Sequence, residues 1–422
     1  MADYSRFDAT EIKSWTTSVF QKLGAPADDA RMTTDALIHA DLMGIDSHGL
    51  NRATNQNYFG GLKSGAVNPN AVPEIVHETS SAATIDGQNG LGPVASTVAM
   101  ELAIAKAKDT GAGFVSIRGS NHYGAASHYS MMALPHNMIG FSMTVGGLGV
   151  TVTGGRGRRI GINPLSVAAP AGEHLPFVLD IATSVVAAGK LELARMKEVP
   201  VPTGWIVDKD GVSTNDPNEF WKGGAIMPLG GELSTGGYKG YGLSVMIDIL
   251  AGVLSGGGFA GYLRENVSSG GTCHFQGALA IDAFGSVDGF KGIMDNMIAY
   301  LKATEPAEGS SGVLVHGERE ILAEQDQRSE NDGDDLRRIP EEGCLKADDA
   351  LPYPLGEARP DGLPRVPQLR SIRLSRSKAA LVFILRDGKG HCENHEQRQE
   401  SGVMDHQPPP LPAVPPPPRI EE

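Results

Sequence analysis

From Ala9 to about residue 327, short apolar runs alternate with glycine-bearing turns, and this alternation constrains the fold more than any other feature of the chain. Runs of this length build strands or half-buried helices. The longest, Tyr241 to Leu254, contains Asp248 and several glycines, falls short of the roughly 20 residues that cross a bilayer, and is expected to be a buried helix. Helices are expected from Ala9, from Pro26 through Leu42, over Val94 to Lys108, over Ser184 to Lys197 and over Asn296 to Leu301. Strands are expected at Ala82 to Asp86, Gly113 to Arg118, Ile139 to Val145, Leu165 to Ala169, Phe177 to Ile181 and near Ala278 to Ile281. The stretch Pro200 to Phe220 is turn-rich, with a hairpin-type turn at Val207 to Gly211. The mixture predicts a mixed α/β enzyme: a helical part over 1–80 that contributes to the site, and a cofactor and substrate region over 81–327.

Composition changes abruptly near Gln327, beyond which Arg, Glu, Asp and Pro dominate. Residues 328–422 are expected to be a disordered, Pro-rich tail foreign to the rest of the chain, with one apolar run at Ala379 to Leu385. Its proline tract from Pro408 to Pro415 has one functional reading, a ligand for an SH3- or WW-like partner, ranked below plain disorder. The 36 basic and 50 acidic residues give a formal charge of -14, which opposes attraction to phosphate backbones and anionic lipid and argues against nucleic acid or membrane as partner. Cys273, Cys344 and Cys392 have neither metal-type spacing nor an even number for a disulfide framework, so no metal is expected and a reducing cytoplasm fits. The N-terminal residues lack the pattern of a secretory signal.

Five segments carry groups suited to chemistry. Asp86-Gly87-Gln88-Asn89-Gly90-Leu91-Gly92 follows a strand and opens a helix like a dinucleotide fingerprint, but Pro93 removes an amide that a pyrophosphate would use and no acidic strand end follows at the right distance. In Asp46-Ser47-His48-Gly49-Leu50-Asn51-Arg52 a hydroxyl, an imidazole and a guanidinium lie within six residues. His48 titrates in the range of a proton donor, and Arg52 presents a planar fork matching a carboxylate. Taken alone, the tetrad is a helix-capping turn as readily as a site. Ser120-Asn121-His122-Tyr123-Gly124-Ala125-Ala126 sets a second histidine at a strand end before small residues that permit close approach. Asp180-Ile181-Ala182-Thr183-Ser184 holds a carboxylate able to orient an imidazole or to cap a helix. Gly236-Gly237-Tyr238-Lys239-Gly240 leads a lysine into a helix start. The basic loop Gly155 to Arg159 is a solvated turn or a phosphate contact. The chain has no HExxH, CxxC, P-loop or GxSxG motif.

In this order, and with Asn163-Pro164-Leu165 and the run Lys239 to Gly256, these segments resemble the type-2 malate/lactate dehydrogenase family, whose members include sulfolactate and ureidoglycolate dehydrogenases and diketogulonate and piperideine-carboxylate reductases. The resemblance spans about residues 9–327. It implies a sulfolactate-dehydrogenase-like fold that binds NAD or NADP without a Rossmann domain, which returns the Gly90–Gly92 loop to a structural turn, and it implies a homodimer. Carried over by position, it makes Ser47, His48 and Asp180 an acid/base group, with His122 a rival proton donor to His48, and Arg52 the carboxylate anchor with Thr183 beside the substrate. It further implies cofactor contacts from His122, Tyr123, Gly124, Ala125 and Ala126, from Asp180, Ile181 and Ala182, from Lys239, and from Gly317, Glu318 and Arg319. Ile162, Tyr238 and Val145-Gly146 depart from the family pattern, and the family's short C-terminal helix is expected to be missing. Arg158 or Arg159 would meet the 2′-phosphate of NADP.

The function expected is interconversion of a small 2-hydroxy acid and its 2-oxo acid. A reductase of cyclic 2-imino acids or diketo sugar acids is the same-fold alternative, and a non-catalytic nucleotide-binding adaptor is the alternative of another class.

Overall fold

The computed structural model describes residues 4–266, 271–310, 312–329 and 335–340. Helix α1 (Ala9–Lys22) begins where the Asp8 carboxylate accepts the Glu11 amide at 2.8 Å, the capping role expected of Asp. Helix α2 (Ala27–Leu42) starts after Pro26 with Asp28 and Asp29 in its first turn, where their charge complements the helix dipole. Phe20, Leu37, Tyr58 and Leu62 bury together between these helices and the short α3 (Phe59–Ser64), so the N-terminal part is helical as its periodicity predicts.

Among the described residues, seven strands form one sheet: β1 (Glu74–Glu78), β2 (Ala82–Asp86), β3 (Ala112–Ser120), β4 (Met138–Thr144), β5 (Leu165–Ala169), β6 (Phe177–Ile181) and β7 (Thr272–Ala280). Their order is β1-β2-β3-β7-β4-β5-β6. Only β2 and β3 run parallel in it, joined by α4 (Gly92–Thr110); the other pairs are antiparallel. One parallel pair cannot make a doubly wound sheet, which agrees with a non-Rossmann fold. Helix α4 lies close on the sheet because Ala95, Ala99, Ala103 and Ala107, spaced four apart, present a buried row of methyl groups. Helix α5 (Ala126–Ser130) packs on the same face. Among the described residues, a second sheet holds five short strands, including Leu148–Val150, Ile206–Val207 and Ala225–Ile226. The hairpin expected at Val207 to Gly211 joins Ile206–Val207 to Ser213–Thr214.

Several boundaries differ from expectation, each for a local reason. Helix α6 spans Ala188–Met196 rather than starting at Ser184, because Val185 donates to the Met227 carbonyl and Ser184 bridges to Pro228, which holds this stretch extended. The helix expected from Tyr241 starts earlier, as α7 (Gly237–Ile247), and widens into a π-helical turn over Asp248–Val253. It is buried on one face only: Ile247 and Ala251 lie in the core, while Leu243, Met246, Ile249, Val253 and Leu254 are exposed along it. After α8 (Ala260–Asn266), strand β7 begins six residues ahead of Ala278. Helix α9 covers Val287–Lys302, and α10 occupies Glu318–Ser329, a segment for which the sequence pattern predicted no element. Within the segment read as tail, Asp335–Pro340 pairs with Tyr4–Asp8; the Ala379 run, the proline tract, Cys344 and Cys392 lie outside the described residues. Among the described residues, no helix is long and apolar enough to cross a membrane.

Candidate active site

The loop after α2 is built on Asp41. This carboxyl is 4% exposed, and its Oδ2 accepts the Leu50 amide at 2.8 Å. Burial pushes its pKa up to about 8, with Asp46 adding repulsion. Only glycine fits at 49, since a Cβ there would stand 1.8 Å from the Asp41 oxygen. The backbone is thereby folded so that Ser47, His48 and Arg52 share one side of the turn. Ser47 Oγ lies 2.9 Å from His48 Nδ1. Arg52 donates Nε to the Ser47 carbonyl at 2.7 Å, which fixes the guanidinium and leaves its outer nitrogens for a carboxylate.

The second half of the site comes from β3. Two residues beyond its end, the His122 ring lies parallel to His48, with centroids 5.6 Å apart and planes 22° apart. Its position is set from behind by the Asp86–Gly92 loop. Asn121 donates its side-chain amide to the Gly90 carbonyl at 2.8 Å, and a Cβ on Gly92 would meet the carbonyl oxygens of Asn121 and His122 at 2.2 and 2.4 Å. The glycine loop is therefore the structural turn that Pro93 suggested, and its task is to hold His122. Both imidazoles are half-buried and kept neutral: burial first, then the Arg52 charge, lowers the His48 pKa to about 4. Burial, helped by His48, Arg52 and His274, takes His122 well below its ordinary value.

The remaining expected residues divide. Asp180 does not join Ser47 and His48: its Oδ2 accepts the Ser127 amide at 2.7 Å and caps α5. Burial raises its pKa despite that bond. Thr183 is 1% exposed, and its hydroxyl is held by the Ile162 and Asn163 carbonyls, each at 3.1 Å, so it bolts two loops together instead of presenting a side chain to substrate. Tyr123, Gly124, Ala125 and Ala126 are buried behind His122, with Tyr123 stacked in the interior. Glu318 is tied to Lys302 and to the Val315 amide. Gly317 packs against Val178, where the Val178 amide donates to the His316 carbonyl. Arg319 and Lys239 are exposed. Arg158 is spent on the Gly224 and Phe220 carbonyls and on the Phe220 ring, so it is not available to a 2′-phosphate. Arg156 lines a 480 Å³ cavity whose walls include neither His48 nor His122.

Two residues escaped the sequence reading. Tyr58 closes the polar stretch after Arg52 and places its hydroxyl 2.9 Å from His122 Nδ1. His274 on β7 is buried, held between Thr144 Oγ1 at 2.8 Å and Ser120 Oγ at 2.9 Å, and stacked on Tyr123 at 4.5 Å. Tyr58 has no local signal beyond being an aromatic residue at the end of a polar run.

Residues 7–333 match the family model described as malate/L-lactate dehydrogenase. The chain belongs to the malate/L-lactate dehydrogenase family. Among its relatives, malate dehydrogenase of Pyrococcus abyssi is 43% identical over 323 residues, covering 76% of this chain and 88% of that protein. L-sulfolactate dehydrogenase of Methanocaldococcus jannaschii is 37% identical over 325 residues, covering 76% and 90%. The solved malate dehydrogenase of Pyrococcus horikoshii superposes with a TM-score of 0.71 at 39% identity, over 80% of this chain and 93% of that one. Membership makes the protein an oxidoreductase, in its coarse activity a dehydrogenase of 2-hydroxy acids that uses a nicotinamide cofactor.

Proposed function

We propose that the protein interconverts a small 2-oxo acid and the corresponding 2-hydroxy acid, with Arg52 gripping the carboxylate and His48 carrying the proton to and from the C2 oxygen. The observation that carries this is the meeting of two neutral imidazoles with a guanidinium anchored to the Ser47 carbonyl. When bound, NAD or NADP supplies or accepts the hydride. A carboxamide needs a donor and an acceptor side by side, and β6 is an edge strand. Because the Val178 amide points outward to His316, the amide and carbonyl of Asp180, two residues on, face the same way. Asp180, Ile181 and Ala182, together with His122, are thus the residues that would hold the nicotinamide.

Oxidation needs a base to take the hydroxyl proton, and neutral His48 is ready for it. Reduction needs the same ring protonated, and a substrate carboxylate on Arg52 favours this by cancelling the charge that helps to depress His48. A cyclic 2-imino acid presents the same C2 centre and carboxylate, so it forms the second arm of the test.

The exposed row Leu243, Met246, Ile249 and Val253 follows Lys239 along one face of α7 and its π-helical turn, and we read it as the face on which a second copy packs. Leu243→Glu is expected to halve the mass seen by light scattering. Turnover of 2-oxo acids and cyclic 2-imino acids with NADH and with NADPH, wild type against Arg52→Ala, tests the main reading. Arg52→Ala is expected to raise KM by about 10–100-fold, the loss of a charge-assisted bidentate contact. An unchanged KM for every acid would sink the carboxylate role. The same turnover assay separates an enzyme from a nucleotide-binding adaptor, which would bind NADH without oxidising it against any acid.

A further inference from the structure

Two groups approach the same nitrogen of His122. The Gly124 backbone amide lies 3.2 Å from Nδ1, and the Tyr58 hydroxyl lies 2.9 Å from it. A main-chain N–H can only donate, so Nδ1 is the unprotonated nitrogen of the ring. The neutral ring then carries its proton on Nε2, and the Tyr58 hydroxyl, with its acceptor fixed, must be the donor of the second bond. Tyr58 is built for this. It is fully buried, meets Phe20 edge-on at 6.4 Å, stands edge-on to the His122 ring at 5.8 Å and 78°, and passes its backbone carbonyl to Leu62 as α3 begins. Burial also holds the phenol's pKa well above its ordinary value, which keeps the donating proton in place.

We infer that Tyr58 is a positioning residue that, together with the Gly124 amide, holds His122 as the Nε2–H tautomer, making His122 a neutral hydrogen-bond donor to the C2 oxygen while the proton that changes hands belongs to His48. The inference rests on the dehydrogenase reading of the site. The two histidines then have different work. If His122 released its Nε2 proton it would become an imidazolate, unless buried Tyr58 became a phenolate in the same step. Either charge is costly in that environment. Kept neutral, His122 polarises the carbonyl in reduction and steadies the developing oxyanion without losing its proton. His48, half-buried and touched on Nδ1 only by Ser47 among the described hydrogen bonds, exchanges protons more freely.

The test is 15N NMR on the full chain with labelled histidine, the His122 signals being assigned by their loss in His122→Asn. At neutral pH the wild type is expected to show a protonated Nε2 and a hydrogen-bonded, unprotonated Nδ1. Tyr58→Phe keeps the ring and removes the shorter of the two bonds to Nδ1; the Nδ1 signal is expected to shift toward that of a more weakly hydrogen-bonded nitrogen, and kcat to fall about tenfold with KM changing less than about twofold, as suits one lost hydrogen bond. A protonated Nδ1 in the wild type would overturn the inference whether or not Tyr58→Phe folds, as would an unchanged kcat in a folded Tyr58→Phe. Failure of the dehydrogenase reading looks different: a wild type inactive on every acid, with the tautomer still readable.

Discussion

His122 precedes Tyr123 in the chain and His274 stacks on the Tyr123 ring, and the two show how one residue type serves two ends. His274 spends both nitrogens. Thr144 Oγ1 lies 2.8 Å from its Nδ1 and Ser120 Oγ 2.9 Å from its Nε2. His122 has partners on Nδ1 alone among the described hydrogen bonds, and its Nε2 is left unspent. In a structural histidine every polar atom is satisfied inside the protein; in a functional one a polar atom is left over, and its direction is fixed by the bonds the other nitrogen makes.

The contrast can be broken by experiment. His48→Ala is expected to lower kcat by about 10²–10⁴-fold, the range of a lost general acid/base, with the melting temperature nearly unchanged; wild-type turnover would remove His48 from the chemistry. His274→Ala should do the reverse in kind. It empties a packed interior position and strands the Ser120 and Thr144 hydroxyls, so denaturant unfolding should show a loss of about 3–5 kcal/mol. A stable variant with a large kcat defect would make His274 functional after all.

Acidity sharpens the same contrast. Burial lowers His274 and His128 to about 3. Between the unfolded value near 6.5 and about 3, the unfolded chain binds protons that the folded protein refuses. Stability should therefore fall on acidification from pH 6.5, by at most about 1.4 kcal/mol per pH unit for each ring, and gain nothing from them above it. Asp41, raised to about 8, acts in the opposite sense: between about 3.8 and 8 the folded state keeps a proton that the unfolded chain has released, so its contribution declines as pH rises. Urea unfolding of wild type and Asp41→Asn across pH 5 to 8 separates the two, and parallel curves would contradict the Asp41 assignment. In activity, kcat/KM for oxidation should hold above His48's value of about 4 and fall below it. The smallest effect is expected from Thr183→Val, which loses one internal hydrogen bond and should cost about 1 kcal/mol with KM unchanged; a large rise in KM would restore Thr183 to the substrate.

The part of the site that was legible in the sequence lies within short windows. Ser47, His48 and Arg52 share a turn, and His122 follows a strand whose apolar residues announce it. Tyr58 and His274 were not legible because their partners are distant: 64 residues separate Tyr58 from His122, and 154 separate His274 from Ser120. Strand β7 also hides itself. It is central and buried along most of its length, so Thr-Cys-His-Phe-Gln-Gly does not alternate, and its polar side chains are tolerable only against neighbours that no local pattern reveals. Asp180 was ambiguous for a related reason: a carboxylate at a strand end can serve an imidazole or a helix start, and its Oδ2 accepts the Ser127 amide of α5.

The central place of β7 also bears on the order in which the molecule is made. Strands β3 and β4 both pair with it on opposite sides, yet a ribosome completes Thr144 long before it reaches Thr272, an interval on the order of ten seconds at ordinary elongation rates. Throughout that time two strand edges face a gap, with their backbone amides and carbonyls unpaired by the strand that will fill it. The late strand that closes the gap also delivers His274 behind Tyr123. Catalytic competence and protection from misassociation therefore arrive together, about two-thirds of the way through the 422 residues, with the insertion of a single nine-residue segment.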